Sequence, residues 1–148
     1  MTQIVIDADA CPVKDEVRQL AKRYAIPLTF VASYNHFSVN LPEGETWIFV
    51  DTDKESADMR ILNLVKSGDI VVTQDIGLAS ILIAKKVATF SNRGEEYREA
   101  EIAMMLDMRY LHAKERRQGK YSKGPRAMTS QDNDNFLEKL DTFIKARL

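Results

Sequence analysis

Six aspartates fall where short apolar runs give out. Asp7 and Asp9 stand one residue apart after Ile4 to Ile6, Asp51 and Asp53 repeat that spacing after "TWIFV", Asp75 closes "DIVVTQD", and Asp58 follows shortly behind Asp53. Carboxylates gathered in one place repel, and some must take up protons unless a cation offsets their charge. Mg²⁺ or Mn²⁺ does this with oxygen ligands while keeping several waters, an arrangement that can hold a phosphodiester and produce a nucleophilic water. Metal-assisted phosphodiester hydrolysis is the chemistry these residues offer, with Asp7, Asp9, Asp58 and Asp75 as candidate ligands. Taken singly, acids at strand ends have a plainer use as helix caps. Asp9 is suited to cap the first helix and Asp53 the next, and Asp69 reads as a turn residue. Asp7, Asp58 and Asp75 have no equally good structural reason to be there.

For these acids to meet, the elements that carry them must converge. Ile4 to Ile6 reads as a strand, and Pro12 suits the first turn of a helix reaching about Tyr24, with Val13, Val17, Leu20 and Ala21 at helical spacing. "LTFVAS", "TWIFVD", "DIVVTQD" and "VATFS" read as four further strands. Helices are expected from Ser56 to Lys66, through "LASILIAKK", from Glu95 to about Gln118, and over about 130–147. Thr129 or Ser130 caps the last, and Phe136, Leu140, Phe143 and Ile144 form its buried stripe. Strands alternating with helices predict an α/β fold: one domain over 1–148, built on a parallel sheet of about five strands covered on both faces. In such sheets ligands bind beyond the carboxyl ends of the strands, where the strand order reverses. If the first and fourth strands are neighbours, Asp7, Asp9 and Asp75 converge there, and the helix bearing Asp58 leans over the same crevice.

The 148-residue chain has a net charge of -1 and a pI near 6.1, so any attraction to nucleic acid must be local. It concentrates around 112–128, where Lys114, Arg116, Arg117, Lys120, Lys123 and Arg126 face the single acid Glu115. Such a loop can track a phosphate backbone, with Tyr110 and Tyr121 stacking on unpaired bases. Its plainer reading is a basic helix end. Thr73, Gln74, Asn92 and Arg93 sit at or beyond strand ends and can donate to phosphate oxygens or simply brace loops. The single cysteine, Cys11, excludes an internal disulfide, and His36 and His112 lack the partners of a zinc site. There is no leader-like segment and no apolar run of bilayer length, which predicts a cytoplasmic protein without a membrane partner.

"VIDADACP", "ESADMRILNLVKSGDIVVTQDIGLA", "SNRG" and "GPRAMTSQDNDNFLEKL" together resemble the YaiI/YqxD family of small bacterial proteins, over most of the chain. That family is grouped with PIN-like and NYN nuclease folds. The resemblance implies a Rossmann-like (PIN-like) domain with an extra C-terminal helix, metal-dependent cleavage of RNA, and pairing into homodimers. The acids of PIN-like nucleases carry over to Asp7 (with Asp9 beside it), Asp58 and Asp75. A further acid usual after the fourth strand is missing from "IGLASILIA", which leaves a one-metal site, Asp9 as the substitute ligand, or a site that has lost activity.

Three rival readings use the same residues. A strand followed by Asp-x-Asp also resembles haloacid dehalogenase-type phosphatases, with Asp7 as nucleophile, Asp9 as acid/base and Thr73 as the phosphate-binding hydroxyl. Cys11-Pro12 after the pair, and the lack of an acid pair behind a later strand, count against it. A thiolate at Cys11 is a second rival, though the spacing to Arg18 is one residue too long for a cysteine phosphatase loop. The third is a non-catalytic module that binds RNA or protein.

Overall fold

A computed structural model describes residues 2–36, 41–42, 44–120 and 126–148, the side chains of His36 and Lys54 excepted. Five strands, β1 (Ile4–Asp7), β2 (Leu28–Ser33), β3 (Thr46–Val50), β4 (Ile70–Val72) and β5 (Ala88–Phe90), form one parallel sheet in the order β3-β2-β1-β4-β5. Five α-helices flank it: α1 (Lys14–Arg23), α2 (Lys54–Leu64), α3 (Ile76–Ala84), α4 (Glu99–Arg117) and α5 (Ser130–Lys145). The architecture is α/β and Rossmann-like. The chain lays down β1, β2 and β3 in one direction and then returns to place β4 on the other side of β1, so the order reverses between β1 and β4.

A parallel sheet covered on both faces needs strands that are apolar on both sides. Ile4, Ile6, Phe30, Ala32, Ile70, Val72 and Phe90 join a core with Val17 and Leu20 of α1 and Phe136, Leu140 and Ile144 of α5. Val5, Val31 and Val71 point the other way, against Ala57 and Ile61 of α2 and Leu78 and Leu82 of α3. Each of the Val, Leu, Ile and Phe side chains among these, buried almost completely, contributes roughly 1.5–3 kcal/mol. Helix α4 forms an outer layer, with Ile102 and Met105 packed on Ala79, Ile83 and Tyr97. No helix of the described residues is long and apolar enough to cross a membrane.

The starts of α1 to α4 differ from the sequence reading by about two to four residues, and β4 closes at Val72 rather than at Asp75. After β1 the chain makes one 3-10 turn, Ala8–Ala10, and extends at Cys11, so α1 begins only at Lys14 and Pro12 lies in the turn before it. The helix expected from Glu95 begins at Glu99. Gly94, at φ +82, turns the chain back; Glu96 bridges Phe90 in antiparallel fashion, and the Tyr97 N–H donates to Thr89 O.

Candidate functional site

Beyond the carboxyl ends of β1 and β4 lies an open cavity of about 460 Å³. Asp7 and Asp9 reach it from β1 and its 3-10 turn, Asp53 and Asp58 from the start of α2, and Asp75 from the start of α3. Gln74, Thr52 and Arg109 complete the polar lining. The structure thus brings Asp7, Asp9, Asp58 and Asp75 to one place and adds Asp53, so that five carboxylates face a single guanidinium.

The carboxylates are held by the ends of the elements that carry them. Thr73, almost fully buried, donates its hydroxyl to Asp7 Oδ2 at 2.8 Å and accepts the Asp75 N–H at 3.0 Å, so one side chain links β1 to the start of α3. Asp9 does not cap α1, whose N-cap position is Val13 without a side-chain bond; its Oδ1 accepts the Ser33 N–H at 2.9 Å and faces the Ser33 hydroxyl at 3.3 Å. The 3-10 turn carries Asp9 away from the helix axis and toward the end of β2, which is why the capping expectation fails. Asp75 does have a structural use, contrary to the sequence reading: as N-cap of α3 its Oδ1 accepts the Leu78 N–H at 3.1 Å. Asp53 caps α2 as expected, taking the Ser56 N–H at 2.8 Å, and Asp69 accepts the Lys66 N–H in the turn before β4.

The expected phosphate-binding groups separate. Gln74 lines the cavity, but its Oε1 accepts the Asn92 N–H at 2.7 Å, and Asn92 Nδ2 donates to Ala10 O at 3.1 Å. These two residues tie together the loops behind β1, β4 and β5. Arg93 and Arg126 lie away from the cavity and converge on the buried Asp132 at 3.0 and 2.6 Å. Arg126 is bidentate, and with the Thr129 N–H it holds the Asp132 carboxyl well below the usual carboxylate range. Both guanidiniums therefore brace the N-terminus of α5, where Thr129 and Asp132 form a capping box. Lys120 is exposed just past α4, whereas Lys123 and Tyr121 lie outside the described residues. Cys11 is buried in the core, and burial pushes its thiol up, so no thiolate is available there.

Sequence reasoning missed Arg109. Its guanidinium lies 3.9 Å from Asp75 Oδ1, half exposed, at the edge of the cavity. One signal was present: Arg109 stands seven residues after Ile102 and so shares the inward face of α4. A second missed residue is Gly77 in the first turn of α3, where a Cβ would stand 3.2 Å from Asp75 Oδ1 and 3.3 Å from the Arg109 guanidinium.

Among the described residues, no three His, Cys, Asp or Glu side chains are drawn together as a ready-made metal cluster. The carboxylate oxygens in the lining nevertheless suit a hard cation such as Mg²⁺, which is commonly held by one or two carboxylates, several waters and substrate phosphate rather than by a protein cage. Asp7 and Asp75 are joined through Thr73, which holds the Asp7 carboxyl and the Asp75 backbone N–H with one hydroxyl.

A family model described as "Uncharacterized BCR, YaiI/YqxD family" matches residues 5–146. UPF0178 protein Lmo1456 of Listeria monocytogenes is 66% identical over 143 residues, covering 97% of this chain and 95% of the relative. A UPF0178 protein of Bacillus pumilus is 47% identical over 141 residues, 95% of this chain and 85% of that protein. One of Bacillus cytotoxicus, Bcer98_3021, is 40% identical over 144 residues, 97% and 93% of the two chains. No solved structure gives a significant match.

Proposed function

The chain belongs to the YaiI/YqxD family, and from that premise and its carboxylate cavity we propose that it is a metal-dependent phosphodiester hydrolase that cleaves RNA. The observation that supports this is the meeting of five aspartates from the ends of β1 and the starts of α2 and α3 around one open cavity at the strand-order reversal. RNA as substrate rests on the likeness of Asp7, Asp58 and Asp75 to the acids of PIN-like nucleases. A bound Mg²⁺ or Mn²⁺ supplies charge neutralisation and a coordinated water of lowered pKa. The chain's own residues supply the rest. Asp7 and Asp75 would be the principal holders of the cation, with Asp9 and Asp58 taking up its waters. Arg109 would meet a non-bridging phosphate oxygen at the mouth of the cavity.

A phosphatase reading fits less well, because the Thr73 hydroxyl it needs for phosphate is buried and engaged between Asp7 and Asp75. The test is cleavage of end-labelled single-stranded RNA with Mg²⁺, Mn²⁺ or a chelator, comparing the native chain with Asp75→Asn. Asparagine also caps helices well, so α3 keeps its start while the charge is lost. Loss of a group that merely orients a metal ligand typically costs 10–100-fold, and loss of a ligand should cost at least about 100-fold. Metal-independent cleavage, or an Asp75→Asn variant as active as the native chain, would refute the proposal. A phosphorylated Asp7 trapped during turnover of a phosphomonoester would replace it with the phosphatase, and RNA binding without cleavage with the non-catalytic module.

A further inference from the structure

Strand β3, at one edge of the sheet, is apolar on both faces. Ile48 and Val50 join the core with Ala57 and Ile61 of α2, while Trp47 and Phe49 point to the other side, half-buried at the margin of the core that α1 and α5 share. Edge strands are ordinarily blunted by charged side chains. Here the rings form a file instead. Phe30 and Trp47 stack with centroids 4.5 Å apart and planes at 12°, Trp47 and Phe49 follow at 5.8 Å and 14°, and Phe49 and Tyr34 at 6.3 Å and 25°. The file runs toward the carboxyl end of the sheet and finishes on Tyr34, in the turn after β2, whose side chain is 56% exposed.

That end of the file meets the cavity. Tyr34 follows Ser33, whose N–H donates to Asp9 Oδ1 at 2.9 Å, so the Tyr34 Cα lies within about 8 Å of a carboxylate that lines the opening. We propose that Tyr34 is the base platform of this site: the substrate's phosphate lies over the carboxylates, and the base beside it stacks on the exposed face of Tyr34. This rests on the nuclease reading of the cavity and adds what the strand must be, since only an unpaired base can turn its flat face to a ring. The rings behind Tyr34 prepare it for that use. Phe49 backs it, and Trp47, whose Nε1 donates to Glu45 Oε2 at 2.9 Å, anchors the file at its far end. A ring already held by its neighbours loses little freedom when a base settles on it. Stacking is indifferent to base identity, so the platform selects an unpaired strand and not a sequence.

Two measurements on the full chain test this, one of them independent of cleavage. In steady-state cleavage of single-stranded RNA with Mg²⁺, Tyr34→Ala should raise KM about 5- to 150-fold, the worth of one stacked base, with kcat within about twofold of native. Tyr34→Phe, which keeps the ring, should recover most of that loss. For the second, Trp47 is the chain's single tryptophan, so Tyr34→Trp combined with Trp47→Phe moves the one indole to the platform. With Asp75→Asn added so that the strand stays whole, its emission should be quenched by an unpaired RNA of about ten nucleotides, and at least about tenfold more weakly by the same RNA in a duplex. Thermal melting checks that each variant keeps the fold. Quenching by the unpaired strand without cleavage by the native chain removes the nuclease and keeps the platform. Cleavage with no quenching, and with the KM of Tyr34→Ala within about twofold of native, overturns the platform and leaves the nuclease. Equal quenching by the duplex, or a loss in Tyr34→Ala that Tyr34→Phe does not recover, overturns it as well.

Discussion

Replacing Thr73 by Val removes one hydroxyl from the centre of the site and leaves the shape of the side chain in place. That hydroxyl donates to Asp7 Oδ2 at 2.8 Å and accepts the Asp75 N–H at 3.0 Å, in a residue only 1% exposed. A hydrogen bond to a charged group contributes about 1.5–3 kcal/mol, and a buried donor left without a partner costs about 1–3 kcal/mol. The two losses share one atom and are not additive, so the variant should lose about 3 kcal/mol of unfolding free energy. Thr73→Ser is the control. It keeps the hydroxyl and gives up one buried methyl, at a cost of about 1 kcal/mol. Urea unfolding with a constant slope should therefore rank the stabilities native, then Ser, then Val, with a gap of about 2 kcal/mol between the variants. If Val were as stable as Ser, the hydroxyl would not be the link between β1 and α3, and the rigid placement of Asp7 and Asp75 would need another cause.

Three further predictions follow from named contacts. The Asp132 carboxyl is depressed chiefly by its Arg126 bond, so its stabilisation is complete above the ordinary carboxylate range and is lost as pH falls from about 5 downward; Asp132→Asn, less stable at neutral pH, should show a shallower loss when denaturant midpoints are measured against pH. Gly77→Ala should leave the melting temperature unchanged or slightly raised, because alanine favours the helix interior by up to about 1 kcal/mol, yet it should lower RNA cleavage by crowding Asp75 and Arg109. Gly94→Ala should destabilise by more than Gly119→Ala in a thermal melt: both sit at positive φ, at a cost of about 1–2 kcal/mol, but only at Gly94 would the Cβ press on backbone, 3.0 Å from Phe136 Cα.

Most of the sheet was legible because its strands are short runs of β-branched and aromatic residues, and a covered parallel sheet is the structure such runs build. The adjacency of β1 and β4 entered the sequence reading only as a condition; the sheet meets it, and Asp7 and Asp75 line one cavity. The start of α4 was not legible, since "EEYREAE" has helical composition and only the backbone pairing of residues 95–97 with β5 keeps it extended. Nor was the role of Arg93, whose contacts with Arg126 O and the buried Asp132 cross 33 and more residues, or of Arg126, which meets Asp132 six residues on from outside any regular element. A basic count of the loop credits Arg126 to an attracting patch, although Asp132 already holds its guanidinium.

Reading each acid as either a helix cap or a ligand set two uses against each other that the structure combines. A carboxylate has two oxygens and about four acceptor directions. At Asp75 the cap uses Oδ1 toward the Leu78 N–H, and the same residue lines the cavity; Asp53 likewise takes the Ser56 N–H and lines it. Capping fixes the side-chain rotamer and brings the positive end of the helix dipole close to the carboxylate, which lowers the cost of gathering acids around one opening. Arg109 contributes in the same sense from α4. The helix starts that made these aspartates look merely structural are thus also what turns their second oxygens toward one opening, where a hard cation would take its ligands.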